Sequence, residues 1–256
     1  MQLVFSPTLC PELNLTDALD LAIQAGFSHL ELFRDCTKSN PVLDDWSVPM
    51  VRDALTAVGC TLSAFNIRSL TGHKADSDEH NLAYNLRQLE WDIHLGRALG
   101  SKTANTRGGA RTDEALSDLI EGVNTLLERI PDIVLNLGSK KGNRLEGLAD
   151  FQTLMPELPE RARVLFDTGD LLSAGESIMP CAEALAPRIG LVHLRDQQGN
   201  RPVPFGKGEV PFAALLNLLQ QSGYDGPLVI ELEAVDWDQP LPAITAARQY
   251  LESLVV

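Results

Sequence analysis

The chain alternates between short apolar runs and longer stretches in which apolar residues recur every three or four positions. "LVFS" at 3–6 is the first run. "LTDALDLAIQAG" follows, with Leu15, Leu19, Ala22 and Ile23 forming one stripe that stops at Gly26. The first segment predicts a strand and the second a helix. The pair recurs as "HLELF" at 29–33 with a helix near 48–58, and as "TLSAFNI" at 61–67 with a long helix near 79–99. "KTANT" at 102–106 is the least apolar strand candidate and takes its place from the helical patterns on either side. "DIVLNLG" at 132–138 leads to a short helix and "RVLFD" at 163–167 to another near 177–186, while "IGLVHLRD" and "PLVIELE" each precede further helical pattern.

Strands that alternate with helices imply a parallel sheet, and eight such units in 256 residues fit a single (β/α)8 TIM barrel domain spanning 1–256. A doubly wound open sheet is the alternative. No GxGxxG follows the first strand, and no linker divides the chain.

Composition alters this picture only at its edges. The chain has neither the leader of a secreted protein nor a run of roughly 20 apolar residues, so a soluble cytoplasmic protein is expected, with no membrane partner. Cys10, Cys36, Cys60 and Cys181 are scattered without a CxxC pair and read as reduced thiols. A formal net charge of −14 repels a phosphate backbone, which argues against nucleic acid as a partner and against a DNA-repair nuclease. An anionic ligand must therefore meet a locally basic site.

In a TIM barrel that site lies where strands end. The polar residues at the predicted ends are Glu31 and Arg34, Asn66 and Arg68, Asn105 and Arg107, Asn136, Asp167, His193 with Asp196, and Glu231 with Glu233. An acid or imidazole in a barrel mouth is costly to desolvate unless paired, hydrogen-bonded or bound to metal. Asp167, His193 and Glu231 close three successive strands. Their two oxygens and one nitrogen would suit Mn, Mg, Co or an open catalytic Zn. Taken singly, each has a plainer reading: Asp167 before "TG" as a helix cap, His193 as a satisfied interior histidine, Glu231 alternating with Glu233 on a solvated face.

Lys and Arg are enriched about twofold in the predicted βα loops, at Arg34, Arg68, Arg107, Arg111, Lys140, Lys141, Arg144, Arg195, Arg201 and Lys207 among others. Such a lining suggests a sugar acid or sugar phosphate. "FGKGEV" could offer backbone N–H groups and Lys207 to a phosphate, or be an ordinary glycine turn. "HKADSDEHN" at 73–81 reads more simply as the start of the third helix, capped by Ser77, than as a segment presenting His73 and His80 to substrate. Trp46 and Trp237 fall in βα loops and either stack on a sugar ring or pack at the rim; Trp91 is isolated.

The stretches "AGFSHLELF", "FDTGDLLSAG", "VHLRDQQGN", "VPFGKGEVPF" and "GYDGPLVIELE", in order from residue 1 to about 250, resemble the sugar isomerase/epimerase superfamily of xylose-isomerase-like barrels. The resemblance implies a divalent metal held by a Glu, an Asp, a His and a Glu after strands five to eight. On this chain these fall on Asn136, Asp167, His193 and Glu231. In the family the two Glu residues also remove and return the substrate proton on opposite faces. Asn136 stands at the strand-five position, where its amide can offer a metal an oxygen but cannot act as a base. Asp170 departs as well, since the family frequently has a substrate-contacting His three residues after the strand-six Asp.

These features together predict an isomerase or epimerase that acts on a small anionic sugar through a metal-stabilised enediolate. The expected metal set is Asp167, His193, Glu231 and Asn136, with Glu231 as base and Asn136 completing the catalytic centre. Arg34, Arg68, Arg107, Lys140, Asp170, Arg195 and Lys207 are the expected substrate contacts, and a homo-oligomer is compatible with the chain. A sugar-acid lyase or dehydratase needs only one base. A sugar-binding protein without catalysis is the reading from a different class.

Overall fold

The computed structural model describes residues 1–34, 37–40, 46–71, 81–233, 237 and 239–254. Eight parallel strands close a barrel in the order β1-β10-β7-β6-β5-β4-β3-β2. In chain order the barrel strands are β1 (Gln2–Phe5), β2 (His29–Phe33), β3 (Thr61–Asn66), β4 (Thr103–Arg107), β5 (Val134–Gly138), β6 (Ala162–Asp167), β7 (Ile189–Leu194) and β10 (Pro227–Ile230). The helices are α1 (Leu15–Gln24), α2 (Val48–Ala57), α3 (Leu82–Ala98), α4 (Ala115–Arg129), α5 (Leu148–Leu154), α6 (Thr168–Ser173), α7 (Ile178–Leu185), α8 (Phe212–Gln221) and α9 (Pro240–Leu254). The expected (β/α)8 TIM barrel is the fold of this chain, and no helix among the described residues is long and apolar enough to cross a membrane.

Each strand divides its side chains between two cores, because successive residues point to opposite faces. Ala162, Val164 and Phe166 of β6 face the helix layer, as do Leu228 and Ile230 of β10. Val4, Ala64, Leu165, Leu191 and Val229 form a separate small cluster inside the barrel. Two residues beyond four of these lie Asn66, Asp167, His193 and Glu231, on the same inward face and one layer nearer the catalytic end. The alternation that buries the barrel's floor thus aims its polar layer.

Three details differ from the sequence pattern. α6 starts at the very end of β6 and precedes the expected helix, α7; six residues are too short for a periodic stripe to show. The "RD" of "IGLVHLRD" lies outside β7, because the chain turns into a small antiparallel hairpin, β8 (Gln197–Gln198) and β9 (Arg201–Pro202). α3 begins at Leu82 with Asn81 as its cap, the side chain accepting from the Tyr84 N–H, so Ser77 is not that helix's cap. Ser77, His73 and His80 themselves lie outside the described residues, as does Cys36. Cys10, Cys60 and Cys181 are buried and unpaired, and burial pushes the Cys10 thiol up to about 12. Trp46 and Trp237 are partly buried and pack on the core.

Candidate active site

Asp167 is a helix cap and also stands beside the other two candidate ligands. As the N-cap of α6 its Oδ1 accepts from the Asp170 N–H at 2.9 Å. Its Oδ2 stands 3.7 Å from His193 Nδ1. Glu231 Oε2 lies 3.2 Å from the same nitrogen. Asp167 and His193 also occupy paired positions on β6 and β7, as Val229 and His193 do on β10 and β7, so the barrel register brings the three ends together. Among the described residues this is the one group of three or more His, Cys, Asp or Glu side chains that could hold a metal ion, its ligand atoms within 4.8 Å of one another and all buried.

His193 is an interior histidine satisfied on one side only. Its Nε2 hydrogen-bonds Glu31 Oε2 at 3.0 Å. Its Nδ1 and Glu231 Oε2 are both buried without a hydrogen-bond partner, near each other but not aligned. Two orphaned buried atoms beside a third carboxylate oxygen are what a cation would satisfy. The donor set of one nitrogen and two oxygens fits the metals named above. Glu231 is buried while Glu233 is exposed, so the two do not share a solvated face.

Two arginines bridge the acids around the triad. Arg195 reaches Asp167 at 3.2 Å, Asp170 at 3.0 Å and Glu233 at 2.7 Å, and Arg107 reaches Asp170 at 3.1 Å. Burial alone would raise the Asp167 carboxyl, yet Arg195, His193 and Arg107 hold it well below the carboxylate range. Burial opposes ionisation of Glu231 too, and Arg195 with His193 lowers it regardless. Asp170 goes the other way, raised to about 6 by burial and then by the charge of Asp167. Burial disfavours the His193 imidazolium, and the carboxylates of Glu31 and Glu231 overcome this to raise it well above its ordinary value.

A row of amides joins this centre to the opposite wall. Asn66, Asn105 and Asn136 occupy paired positions on β3, β4 and β5. Asn136 Nδ2 donates to Asn105 Oδ1 at 2.8 Å, Asn105 Nδ2 to Asn66 Oδ1 at 3.0 Å, and Asn66 Nδ2 to Glu31 Oε2 at 2.7 Å. Ser6 donates to the other Glu31 oxygen at 2.7 Å. Asn136 is fully buried and its Oδ1 is orphaned, so close to Gly190 that a Cβ there would stand 2.2 Å away.

The basic residues separate into groups. Arg34, Arg68, Arg107 and Lys140 line one cavity of about 160 Å³ together with Asn66, Asn105 and Ser69. Arg111 and Arg144 instead grip Asp150, at 3.1 and 3.3 Å, where it also accepts the Glu146 N–H in front of α5. Lys207 is exposed on its loop. The backbone N–H groups of that loop are spent: Gly206 and Gly208 both donate to Asp196 Oδ2, at 2.8 and 2.9 Å, so "FGKGEV" is a loop folded on Asp196 rather than a free anion cradle.

The sequence reading missed Asp92, a fully buried carboxylate on α3 that accepts from Arg34 at 3.1 Å and from Arg68 at 2.7 Å. Its signal was an acid on the helix face that also carries Leu89, Ile93 and Gly96, all buried. Trp91 beside it is not isolated, since the Arg34 guanidinium lies 5.4 Å from its ring centre.

Comparison with known proteins agrees with this architecture. SgbU of Escherichia coli (strain K12), provisionally an L-ribulose-5-phosphate 3-epimerase, is 25% identical over 280 residues, covering 98% of this chain and 94% of that protein. An inosose dehydratase of Lacticaseibacillus casei is 25% identical over 166 residues, 56% of this chain and 55% of its own length. The solved structure of an IOLI protein with a binding zinc atom superposes with a TM-score of 0.83 at 16% identity, covering 100% of this chain and 98% of that one. The family profile described as xylose isomerase-like TIM barrel matches residues 19–254, and the chain belongs to that family.

Proposed function

We propose that the chain is a sugar isomerase or epimerase that removes a proton next to a carbonyl of a small anionic sugar. The observation that carries this is the convergence of Asp167, His193 and Glu231 at the barrel mouth, with His193 Nδ1 and Glu231 Oε2 left without partners. Asp167, His193 and Glu231 would hold a divalent cation, which supplies Lewis-acid stabilisation of a developing oxyanion. Full-length similarity to SgbU, and the zinc in the IOLI structure, support both parts of the reading.

The chain's own residues divide the remaining work. Glu231 is buried, ionised through Arg195 and His193, and is the base that takes the proton. Arg195 holds Asp167 and Asp170 in place and offsets their charge. Glu31 orients the His193 ring through Nε2 so that Nδ1 faces the centre. Asn136 donates its amide to Asn105 and gives no second base. Proton return therefore falls to the same base or to an acid outside the metal set.

A second reading, a sugar dehydratase, is favoured by that missing second base, because elimination needs one base and a leaving group. Similarity to an inosose dehydratase points the same way. Incubation with keto-sugars and their phosphates in deuterated water separates the two. Exchange into substrate and its isomer without loss of water supports the isomerase or epimerase. Loss of water favours the dehydratase, and no exchange with any keto-sugar overturns both.

A further inference from the structure

We propose that the cavity between the ends of β2, β3, β4 and β5 is a phosphoryl subsite, so that the substrate is a sugar phosphate whose ester end lies there while its carbonyl end meets the triad. Four cations from four consecutive strand ends, Arg34, Arg68, Arg107 and Lys140, surround a space of about 160 Å³, roughly the room of five waters. No carboxylate is among the described residues that line it. Asn66, Asn105 and Ser69 add neutral polar groups.

The supply of donors matches a tetrahedral oxyanion. Arg68 is held from behind, Nε and Nη2 donating to Asp92 at 2.7 and 3.2 Å and Nη1 to Gln88 at 2.9 Å, which fixes the plane of its fork. Arg107 Nε is buried and has no hydrogen-bond partner. Lys140 is exposed and has no ion-pair partner among the described residues. Arg34 and Arg68 share Asp92, Arg107 pairs with Asp170 and Lys140 follows β5, so the cations reach the cavity from separate strand ends. A carboxylate is planar and is served by one guanidinium fork, whereas the three terminal oxygens of a phosphoryl group, close to dianionic at neutral pH, answer donors from three directions.

Arg107 belongs to both halves of the site, since it lines the cavity and also contacts Asp170 at 3.1 Å and Asp167 at 4.0 Å. A phosphoryl group placed here is thus one arginine removed from the triad. In a protein of net charge −14 this basic wall selects its ligand against the overall field. The assignment rests on the triad being the reacting centre.

The test is titration of the full chain with inorganic phosphate, followed by calorimetry and phosphorus NMR, in the presence of chelator so that the readout does not depend on metal or turnover. Lys140→Glu, at an exposed position, is expected to weaken phosphate binding by about tenfold or more, and Lys140→Arg to retain it. Phosphate binding that is absent, or equal in wild type and Lys140→Glu, overturns the subsite. So does preferential, Lys140-dependent binding of gluconate, a carboxylate without phosphate. If phosphate fails while unphosphorylated keto-sugars still exchange deuterium, the subsite alone falls. If phosphate binds as expected and no phosphorylated keto-sugar exchanges, the subsite stands and the reaction assignment falls.

Discussion

Glu31 and His193 meet inside the barrel at 3.0 Å, carboxylate oxygen to Nε2, although they stand on strands far apart in the chain. Ser6 and Asn66 fix the carboxylate from its other sides. Glu31 therefore sets the ring's orientation. Glu31→Gln should lower affinity for Mn or Zn by about 10- to 100-fold while the far-ultraviolet circular dichroism stays unchanged. Calorimetric metal titration checks it; equal affinities would show that Glu31 is only packing.

Asp167 caps α6 through Oδ1 and would hold the proposed cation through Oδ2, and substitution can separate the two. Asn caps helices as well as Asp does but is a poorer metal ligand, whereas Ala does neither. Asp167→Asn should lose metal binding with the α6 cap intact. Asp167→Ala should lose metal binding and about 1 kcal/mol more stability than Asp167→Asn. Urea unfolding of the chelator-treated variants, compared pairwise, measures the difference.

Asp150 gives the fold a pH dependence remote from the triad. Burial raises its carboxyl, but Arg111 and the N–H groups of Glu146 and Gly147 lower it further, so its folded value lies below the unfolded one. A depressed acid stabilises fully above its unfolded value near 4 and loses that contribution as pH falls through the folded value. Asp150→Asn should cost roughly 1 to 3 kcal/mol at pH 7 and narrow the gap to wild type below about pH 4. Thermal unfolding across pH 3 to 7 tests the sign.

Gly109 turns the chain just after β4 with φ +77°, and a Cβ there would meet the Thr71 carbonyl oxygen at 1.7 Å. Both the backbone region and the lack of space exclude a side chain. Gly109→Ala should destabilise by about 1 to 3 kcal/mol and loosen the β4 loop that follows Arg107. A denaturation midpoint unchanged from wild type would show that the loop relaxes freely.

The barrel was legible because its evidence is periodic: apolar runs and helical stripes repeat, and each repeat supports the next. β4 was the faintest strand since Asn105 and Thr106 are held by side-chain and ladder hydrogen bonds rather than apolar burial. The triad was legible as acids and a histidine at successive strand ends. Asp92 was not, because one buried acid in a long helix becomes informative only when the two arginines that face it are known. Nor was the use of the strand-end amides, since one Asn reads alike as a loop former, a ligand or a link between neighbours. Glycine N–H groups in "FGKGEV" looked available because sequence does not show that Asp196 has already taken them.

The three strand-end asparagines have a polarity: every Nδ2 donates in the direction of Glu31, so their dipoles add and end on a carboxylate. A glutamate at position 136, the residue type that the sequence resemblance implies there, has no N–H to give and would set an anion against Asn105 Oδ1. Asn105 would have to rotate its amide, which would then face Asn66 acceptor to acceptor, and the reversal would run on to Glu31 and the His193 ring. A single Asn136→Glu change is thereby disfavoured. The amide on strand five is the first link of a directed wire, and a charge placed there would be felt on strands three and four as well.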